Sequence, residues 1–346
     1  MVYNTFQTII VPAIVSFLIT IISTKFLMSY FLSAGIIAED KNKSKSTRLP
    51  GSGGVAVAFG TVVGILVYIF GGSFVFTPVL SISNLMAVGL SIMLIAFVGF
   101  LDDINVKSKS VKATGMMDIR QGLKQWQKPL LTVVGALPLI AINAGVSVVS
   151  IPFIGQVDLG LLYPLLVLPL AIIFVPNAVN LLGGFNGLEA GTSLVASLGL
   201  LVYSVFFGNY IGALISTILF ASLLAFLLFN AYPAKILPGD SLPYTIGGAF
   251  VAIMAMGNAE TFGVIIFIPW IIEFLLHARG KFDVTDLGIR QRDGTFKAPY
   301  GKKIYSLTHV MMNLKRMKEY EVPIYLSLIE GVFVVLALLL KVNGFL

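Results

Sequence analysis

The chain reads as long apolar runs separated by short polar ones, and a run of about 20 mostly apolar residues is long enough to cross a bilayer as a helix. Ten such runs are present, at 6–30, 53–71, 84–101, 129–147, 161–181, 190–207, 210–229, 242–257, 260–277 and 323–342. The first lacks a basic leader and a small-residue cleavage site, so it is expected as a retained helix and not a signal peptide. The pattern predicts an all-α, polytopic membrane protein of about ten transmembrane helices. It forms one integral membrane domain over 1–346, with a long polar loop at 278–322 between helices nine and ten.

Charge gives this pattern a direction. With the N-terminus outside, the loops 31–52, 102–128, 182–189, 230–241 and 278–322 all fall on one side, and they hold 21 of the 23 Lys and Arg residues. Lys25 sits near an inner helix end and Lys341 at the outer C-terminus, while the connections 72–83, 148–160, 208–209 and 258–259 have no basic residue. The positive-inside rule therefore predicts that the basic side is cytoplasmic. Charged residues are only 11% of the chain and mean hydropathy is +0.96, against about 25% charged residues in a soluble domain. The net charge of +7, concentrated on one face, is accounted for by topology and by contact with anionic lipid headgroups. No nucleic-acid-binding motif accompanies it. Cysteine is absent, which excludes disulfides and thiolate metal sites. No internal repeat supports an inverted-repeat transporter.

The scarce polar residues inside or beside apolar runs mark the candidate chemistry. Asp102 and Asp103 end the third run directly (FVGFLDD); adjacent carboxylates at a membrane surface call for a cation nearby, and oxygen ligands suit Mg²⁺. Asn177 to Gly191 (NAVNLLGGFNGLEAG) ends the fifth run with three asparagines and four glycines. Irregular backbone at membrane depth persists only where protein or a water-filled cavity covers it. Asn177 and Asn180, three apart, share one helix face. Asn186 follows in the Gly-rich loop, and Glu189 reads as a first-turn acid of the next helix. Asp240, in Leu237-Pro238-Gly239-Asp240-Ser241, suits either a cation or the cap of the following helix. The segment Arg48-Leu49-Pro50-Gly51-Ser52-Gly53-Gly54 suits either an anion at a helix N-terminus or close helix packing. All these residues share the predicted cytoplasmic face, where oxygen ligands beside Lys and Arg suit phosphoryl transfer. A membrane-embedded site implies a lipid substrate.

On FVGFLDD (97–103), NAVNLLGGFNGLEAG (177–191) and PAKILPGDS (233–241), in this order across ten helices, the chain resembles the polyprenyl-phosphate N-acetylhexosamine-1-phosphate transferases. Within them it is most similar to the eukaryotic and archaeal GlcNAc-1-phosphotransferases that begin lipid-linked N-glycan synthesis; Asp40-Lys41-Asn42-Lys43 and the stretch from Asp293 to Leu307 add to the likeness. Phospho-MurNAc-pentapeptide translocases have aspartates where this chain has Gly184 and Asn186, and a His-rich motif where it has only His277 and His309.

The resemblance implies UDP-GlcNAc as donor, a dolichyl or other polyprenyl phosphate as acceptor, and Mg²⁺ as cofactor, with Mn²⁺ as an alternative metal. It implies an archaeal-type cell membrane, or the endoplasmic reticulum in a eukaryote, and leaves a homodimer open. By motif position it assigns Asn180 and Asp240 to the metal and Asn186, Gly184 and Gly187 to the nucleotide. Asp102 and Asp103 would lie beside the acceptor phosphate, with Lys128 near the phosphates. Asp40 and Lys41 are further substrate-binding candidates. Three departures stand out. The segment from Asp103 to Lys128 is longer than in the eukaryotic members, so Lys124 rivals Lys128. Gly51 replaces an acidic residue, which weakens ribose recognition there. Arg279-Gly280-Lys281 stands where an Arg-His-Arg motif is expected, so Arg279 and Lys281 become the candidates for the pyrophosphate. The competing class is a transporter or channel, for which the intramembrane acids Glu273 and Glu330 are the best-suited features; the preferred reading makes each an interhelical hydrogen-bond partner.

Overall fold

The computed structural model describes residues 5–43, 47–104, 107–110, 117–121, 123, 127–151 and 155–345. Its helices are α1 (Thr5–Ala34), α2 (Gly54–Phe74), α3 (Ile82–Ile104), α4 (Gln127–Val133), α5 (Leu137–Ala141), α6 (Leu168–Leu181), α7 (Leu188–Phe206), α8 (Tyr210–Asn230), α9 (Ser241–Met256), α10 (Glu260–Ile266), α11 (Ile268–Arg279), α12 (Leu307–Leu314) and α13 (Glu321–Val342). A π-helical turn, Tyr163–Val167, leads into α6.

Among the described residues seven helices are long and apolar enough to span a membrane, and α10 with α11 makes an eighth if the bent pair is one span. Pro269, in the first turn of α11, lacks an N–H and crowds the preceding turn, which accounts for the 58° bend. The expected spans at 129–147 and 242–257 correspond to the shorter apolar helices Gln127–Ala141 and Ser241–Met256. The chain has the build of a multi-pass membrane protein. Exposed apolar residues form stripes at helical spacing, Val11, Ile14, Leu18 and Ile22 on α1 and Leu328, Val332, Val335 and Leu339 on α13, as lipid-facing surfaces should.

The all-α expectation needs one correction. The connections carry short antiparallel pairs: β1 (Ile37–Asp40) with β2 (Thr47–Pro50), β3 (Lys107–Ser110) with β4 (Met117–Gln121), β5 (Val148–Ile151) with β6 (Gly155–Asp158), and β7 (Ile289–Arg290), β8 (Thr295–Lys297) and β9 (Met317–Lys318) in one sheet. These strands are two to five residues long and largely polar, too short for an alternating pattern to reveal them.

The centre of the bundle is α9. Every residue from Ser241 to Ile253 is buried, as expected of a helix apolar all round, and α3, α6, α2 and α8 pack against it. Small residues set the distances. A Cβ on Gly54 would lie 1.9 Å from the Leu242 backbone nitrogen, and one on Gly247 would lie 2.4 Å from Pro176 Cα. Backbones can approach this closely only where side chains are missing. The Gly-rich entry to α2 therefore serves packing. Its first N–H groups are also occupied, Gly53 donating to Leu237 O and Gly54 to Pro238 O, both at 2.9 Å, so no anion site is formed there.

The intramembrane acids divide. Glu273 Oε1 pairs with His277 Nε2 at 3.0 Å, and its Oε2 accepts the Leu307 N–H at 2.7 Å, tying α11 to α12 as expected. Glu330 does not follow: it is 1% exposed, yet neither carboxyl oxygen has a hydrogen-bond partner. The stretch of α7 opposite that part of α13 offers Gly191, Val195 and Gly199, none of which has a side-chain donor.

Replacing Gly54 by Ala should force α2 away from α9 and destabilise the protein by about 1–3 kcal/mol, the usual range for overpacking. Thermal unfolding in detergent measures this, and an unchanged melting temperature would contradict the α2–α9 packing.

Candidate active site

Antiparallel packing of α3 on α9 brings the C-terminal end of one helix to the N-terminal end of the other. Two acids at a helix C-terminus oppose its macrodipole, so Asp102 and Asp103 need outside partners, and they find different ones. Asp103 turns to α9: its Oδ1 accepts the Asp240 N–H at 2.7 Å, and its Oδ2 accepts the Ser241 N–H at 3.2 Å and the Ser52 hydroxyl. It thereby satisfies the first N–H groups of a buried helix, which otherwise have no intrahelical acceptor. Gly239, at φ +64°, makes the turn, and a Cβ there would lie 2.4 Å from Asp103 Oδ2.

Asp102 faces the other way. Lys128, in the first turn of α4, lies 2.7 Å from Asp102 Oδ2 and 2.9 Å from Asp240 Oδ2, while the Leu123 N–H donates to Asp102 Oδ1. Asn180, in the last turn of α6, donates from Nδ2 to the same Asp240 oxygen at 3.1 Å. Asp240 stands at the N-cap of α9 but makes no side-chain cap bond. The capping alternative fails because Asp103 fills that role from outside, which leaves the Asp240 carboxylate to the centre. Burial alone would raise the Asp240 carboxyl, but the Lys128 ammonium and the surrounding hydrogen bonds outweigh it and hold the group below the usual carboxylate range. Asn177, one turn before Asn180, accepts the Tyr244 hydroxyl at 3.0 Å and donates to Ile173 O at 2.7 Å. It fastens α6 to α9.

The Asn–Gly loop lies between α6 and α7. Gly184 and Gly187 have φ of +86° and +81°, and Gly187 is the N-cap of α7. Asn186 is buried and donates to Asp40 Oδ2 at 3.1 Å. Asn42, which follows β1, donates from Nδ2 to Gly184 O, and its own carbonyl accepts from Arg290 at 3.1 Å. Lys43 lies 3.2 Å from Asp40 and 2.7 Å from Glu319. The β1–β2 hairpin is thus tied to the Asn–Gly loop on one side and to the segment around the β7–β8–β9 sheet on the other. Lys41 is half-buried beside Asn42.

The sequence-based candidates therefore form two groups: Asp102, Asp103, Lys128, Asn180 and Asp240 in one hydrogen-bonded centre, and Gly184 and Asn186 in the adjoining loop with Asp40 of β1 bonded to Asn186. Arg279 and Lys281 join neither. Arg279 lies over the Tyr305 ring at 5.4 Å, and Lys281 is exposed at the end of α11. Lys124, the rival of Lys128, lies outside the described residues. Residues not foreseen are Ser52, Asn42, Glu319 and Asp286; a Cβ on Gly184 would lie 2.6 Å from Asp286 Oδ2. Of these only Asn42 had a signal in the sequence, its place in Asp40-Lys41-Asn42-Lys43. A cavity of 500 Å³ at the other end of α7, lined by Tyr203, Phe207, Gly208, Asn209, Gly257, Asn258 and Lys341, has no carboxylate–amide cluster.

The centre suits a hard divalent cation. Asp102 and Asp240 share the one ammonium group of Lys128, Asp103 lies close behind on the first N–H groups of α9, and Asn180 and Asp240 bring an amide and a carboxylate together. Among the described residues no group of three or more His, Cys, Asp or Glu could hold a metal by itself. Magnesium often relies on one or two carboxylates plus substrate phosphates and waters, which this donor set matches.

Residues 85–258 match the model of glycosyl transferase family 4, a stretch that includes Asp102, Asp103, Lys128, Asn180, Asn186 and Asp240. A protein of Saccharolobus solfataricus, provisionally named a UDP-N-acetylglucosamine–dolichyl-phosphate N-acetylglucosaminephosphotransferase, is 33% identical over 96% of this chain and 97% of its own length. A protein of the same name from Sulfolobus acidocaldarius is 32% identical over 96% of each chain. A phospho-N-acetylmuramoyl-pentapeptide-transferase of Halalkalibacterium halodurans is 28% identical over 97% of this chain and 98% of its own. With its acid–amide–lysine centre inside the matched stretch and relatives aligned almost end to end, the chain belongs to glycosyl transferase family 4.

Proposed function

We propose that the protein transfers GlcNAc-1-phosphate from UDP-GlcNAc to a dolichyl-type polyprenyl phosphate, giving the lipid diphosphate sugar and UMP, the first step of lipid-linked glycan assembly. The observation that carries this reading is the Asp102–Lys128–Asp240–Asn180 centre at the end of an apolar bundle, where a lipid phosphate and a soluble nucleotide can meet. The names of the archaeal relatives supply the donor and the acceptor. The distribution of Lys and Arg supports a cytoplasmic site in a ten-span protein with its N-terminus outside. In that count the two shorter helices and the bent pair each cross. An archaeal cell membrane suits the short outer connections.

Asn180 and Asp240 would hold Mg²⁺, which when bound neutralises diphosphate oxygens and so reduces repulsion between two anionic substrates. Lys128 is the mobile counter-charge. In the substrate-free protein it is shared by Asp102 and Asp240, and it can exchange one carboxylate for a phosphate oxygen without leaving the site. Asn186, with the Gly184 and Gly187 backbone, forms the nucleotide side, and the hairpin residues Asp40 and Asn42 hold that loop in place. A phosphate monoester is already anionic near neutral pH, so the lipid phosphate oxygen can attack the β-phosphorus directly. The bond to UMP then breaks, and positioning is the main catalytic task.

Asp103 bears on the choice of mechanism. Both its oxygens are committed to the N-terminus of α9 and to Ser52, so acting as a base or nucleophile would unseat that helix. This favours direct attack over a covalent phospho-enzyme, with Asp103 as a positioning residue.

Purified protein with UDP-GlcNAc, a polyprenyl phosphate and Mg²⁺ should release UMP, and EDTA should abolish the release. No UMP from a panel of UDP-sugars, together with solute flux in vesicles, would overturn the transferase reading. Replacing Lys128 by Met should lower kcat about 10²–10³-fold, the usual loss of a preorganised charge; a smaller loss would remove Lys128 from the phosphates. Asp103→Asn should lower both turnover and melting temperature, costing about 1–3 kcal/mol for buried donors left without acceptors. A full loss of turnover at unchanged stability would instead favour a purely chemical role.

A further inference from the structure

Glu189, in the first turn of α7, is the acid near the site that the mechanism above does not use. Its Oε2 is buried and has no hydrogen-bond partner, and its Oε1 lies against Gly183, 2.5 Å from where a Cβ would stand. The charged groups acting on it are Asp240, Asp286 and Asp103, all acidic. A first-turn acid ordinarily caps an N–H or sits in water against the helix dipole. Glu189 makes no cap bond: it folds back over the Asn–Gly loop, half-buried, with Oε2 shut away from solvent and Oε1 against Gly183.

A carboxylate oxygen buried without a donor or counter-ion is costly, and three neighbouring acids make the charge more so. In its charged form such a group needs a cation or a set of hydrogen-bond donors. Its position indicates which. The Gly183 Cβ direction that meets Glu189 Oε1 at 2.5 Å also meets the Asn180 backbone oxygen at 3.6 Å, so Glu189 sits over the end of α6 that carries one proposed metal ligand. It is also close enough to the other proposed ligand, Asp240, for the two acids to repel each other, a repulsion a shared cation would relieve. Magnesium gives up its waters reluctantly, and carboxylates outside the ligand set hold such waters and orient the ligands.

We propose that Glu189 is a positioning residue for the divalent cation held by Asn180 and Asp240, acting through water bound to the ion. Gly183 is then the residue that leaves room for its carboxylate. The proposal rests on the metal-dependent reading above, but it concerns the protein's own affinity for the ion and not turnover.

The test is Mn²⁺ binding to the purified, substrate-free protein, followed by electron paramagnetic resonance, with melting temperatures measured in EDTA. Glu189→Gln should weaken Mn²⁺ binding about 10-fold or more, within the usual range for such outer carboxylates, while its metal-free melting temperature stays level or rises. Gly183→Ala should displace the carboxylate without removing it and weaken Mn²⁺ binding in the same direction. It decides the matter if Glu189→Gln does not fold. No Mn²⁺ binding by the wild type, an affinity unchanged in the variants, or a lowered metal-free melting temperature in Glu189→Gln would overturn the proposal. Because the readout is metal binding, it stands or falls separately from UMP release.

Discussion

The architecture of the site depends on how the N-terminus of α9 is satisfied. This helix is buried along nearly its whole length, so its first N–H groups cannot turn to water, and each buried donor left unpaired costs roughly 1–3 kcal/mol. The Asp103 carboxylate takes two of them, Asp240 and Ser241. Because the cap comes from α3, the carboxylate of Asp240 is free to point elsewhere, and it meets Lys128 and Asn180. One structural bond therefore joins two helices and releases the acid that the chemistry needs. The close approaches of Gly54 and Gly247 to the backbone around α9 hold the same arrangement from two other sides.

The charge balance of the centre runs against stability. Asp102 and Asp240 share a single ammonium group, Asp103 lies behind them on the α9 N-terminus, and Glu189 and Asp286 lie just beyond. Buried ionic groups seldom repay their desolvation by mutual attraction, so this excess acid is poor design for a merely stable bundle. It suits the proposed reading, in which the site receives a cation and brings anionic phosphate groups together. In that proposal Lys128 fits the exchange because an ammonium is a compact charge on a flexible stem and can change partners with small movement.

Much of this was legible in the chain, for definite physical reasons. Polar residues are rare inside apolar runs, so FVGFLDD, the Asn–Gly loop and Asp240 stand out, and alternation of sides brings them to one end of the bundle. The three-residue spacing of Asn177 and Asn180 placed both amides on one helix face, and the structure turns that face to α9. The different tasks of Asp102 and Asp103 were not legible, since adjacent helical residues point about 100° apart and only the packed neighbours reveal which acid meets which partner. The same limit explains Asp240, where local sequence suggested a cap that a residue 137 positions away supplies. Ser52 could not be separated from its glycines by pattern. Glu330 shows the opposite failure: a buried acid in an apolar run invites a partner, and the facing stretch of α7 does not provide one.

The hairpin adds a last element of logic. Asn42 and Asp40 bind the Asn–Gly loop from one strand end, while Arg290 and Glu319 hold the Asn42–Lys43 end of the hairpin from the other side. Loops at a bundle end are usually the least ordered parts of a protein, yet a nucleotide must be held to within fractions of an ångström for in-line transfer. Three segments far apart in the chain lock one another here through charged and amide contacts and through an apolar one, Phe185 of the Asn–Gly loop meeting the Phe296 ring of β8 edge-on at 5.5 Å. The basic residues of 278–322 therefore divide their work: Arg290 stabilises the loop, while Arg279 and Lys281, outside the hydrogen-bonded centre, remain at the end of α11. Acids and amides build this site; its cations either brace those groups, as Lys43, Lys128 and Arg290 do, or lie at the edge, as Arg279 and Lys281 do.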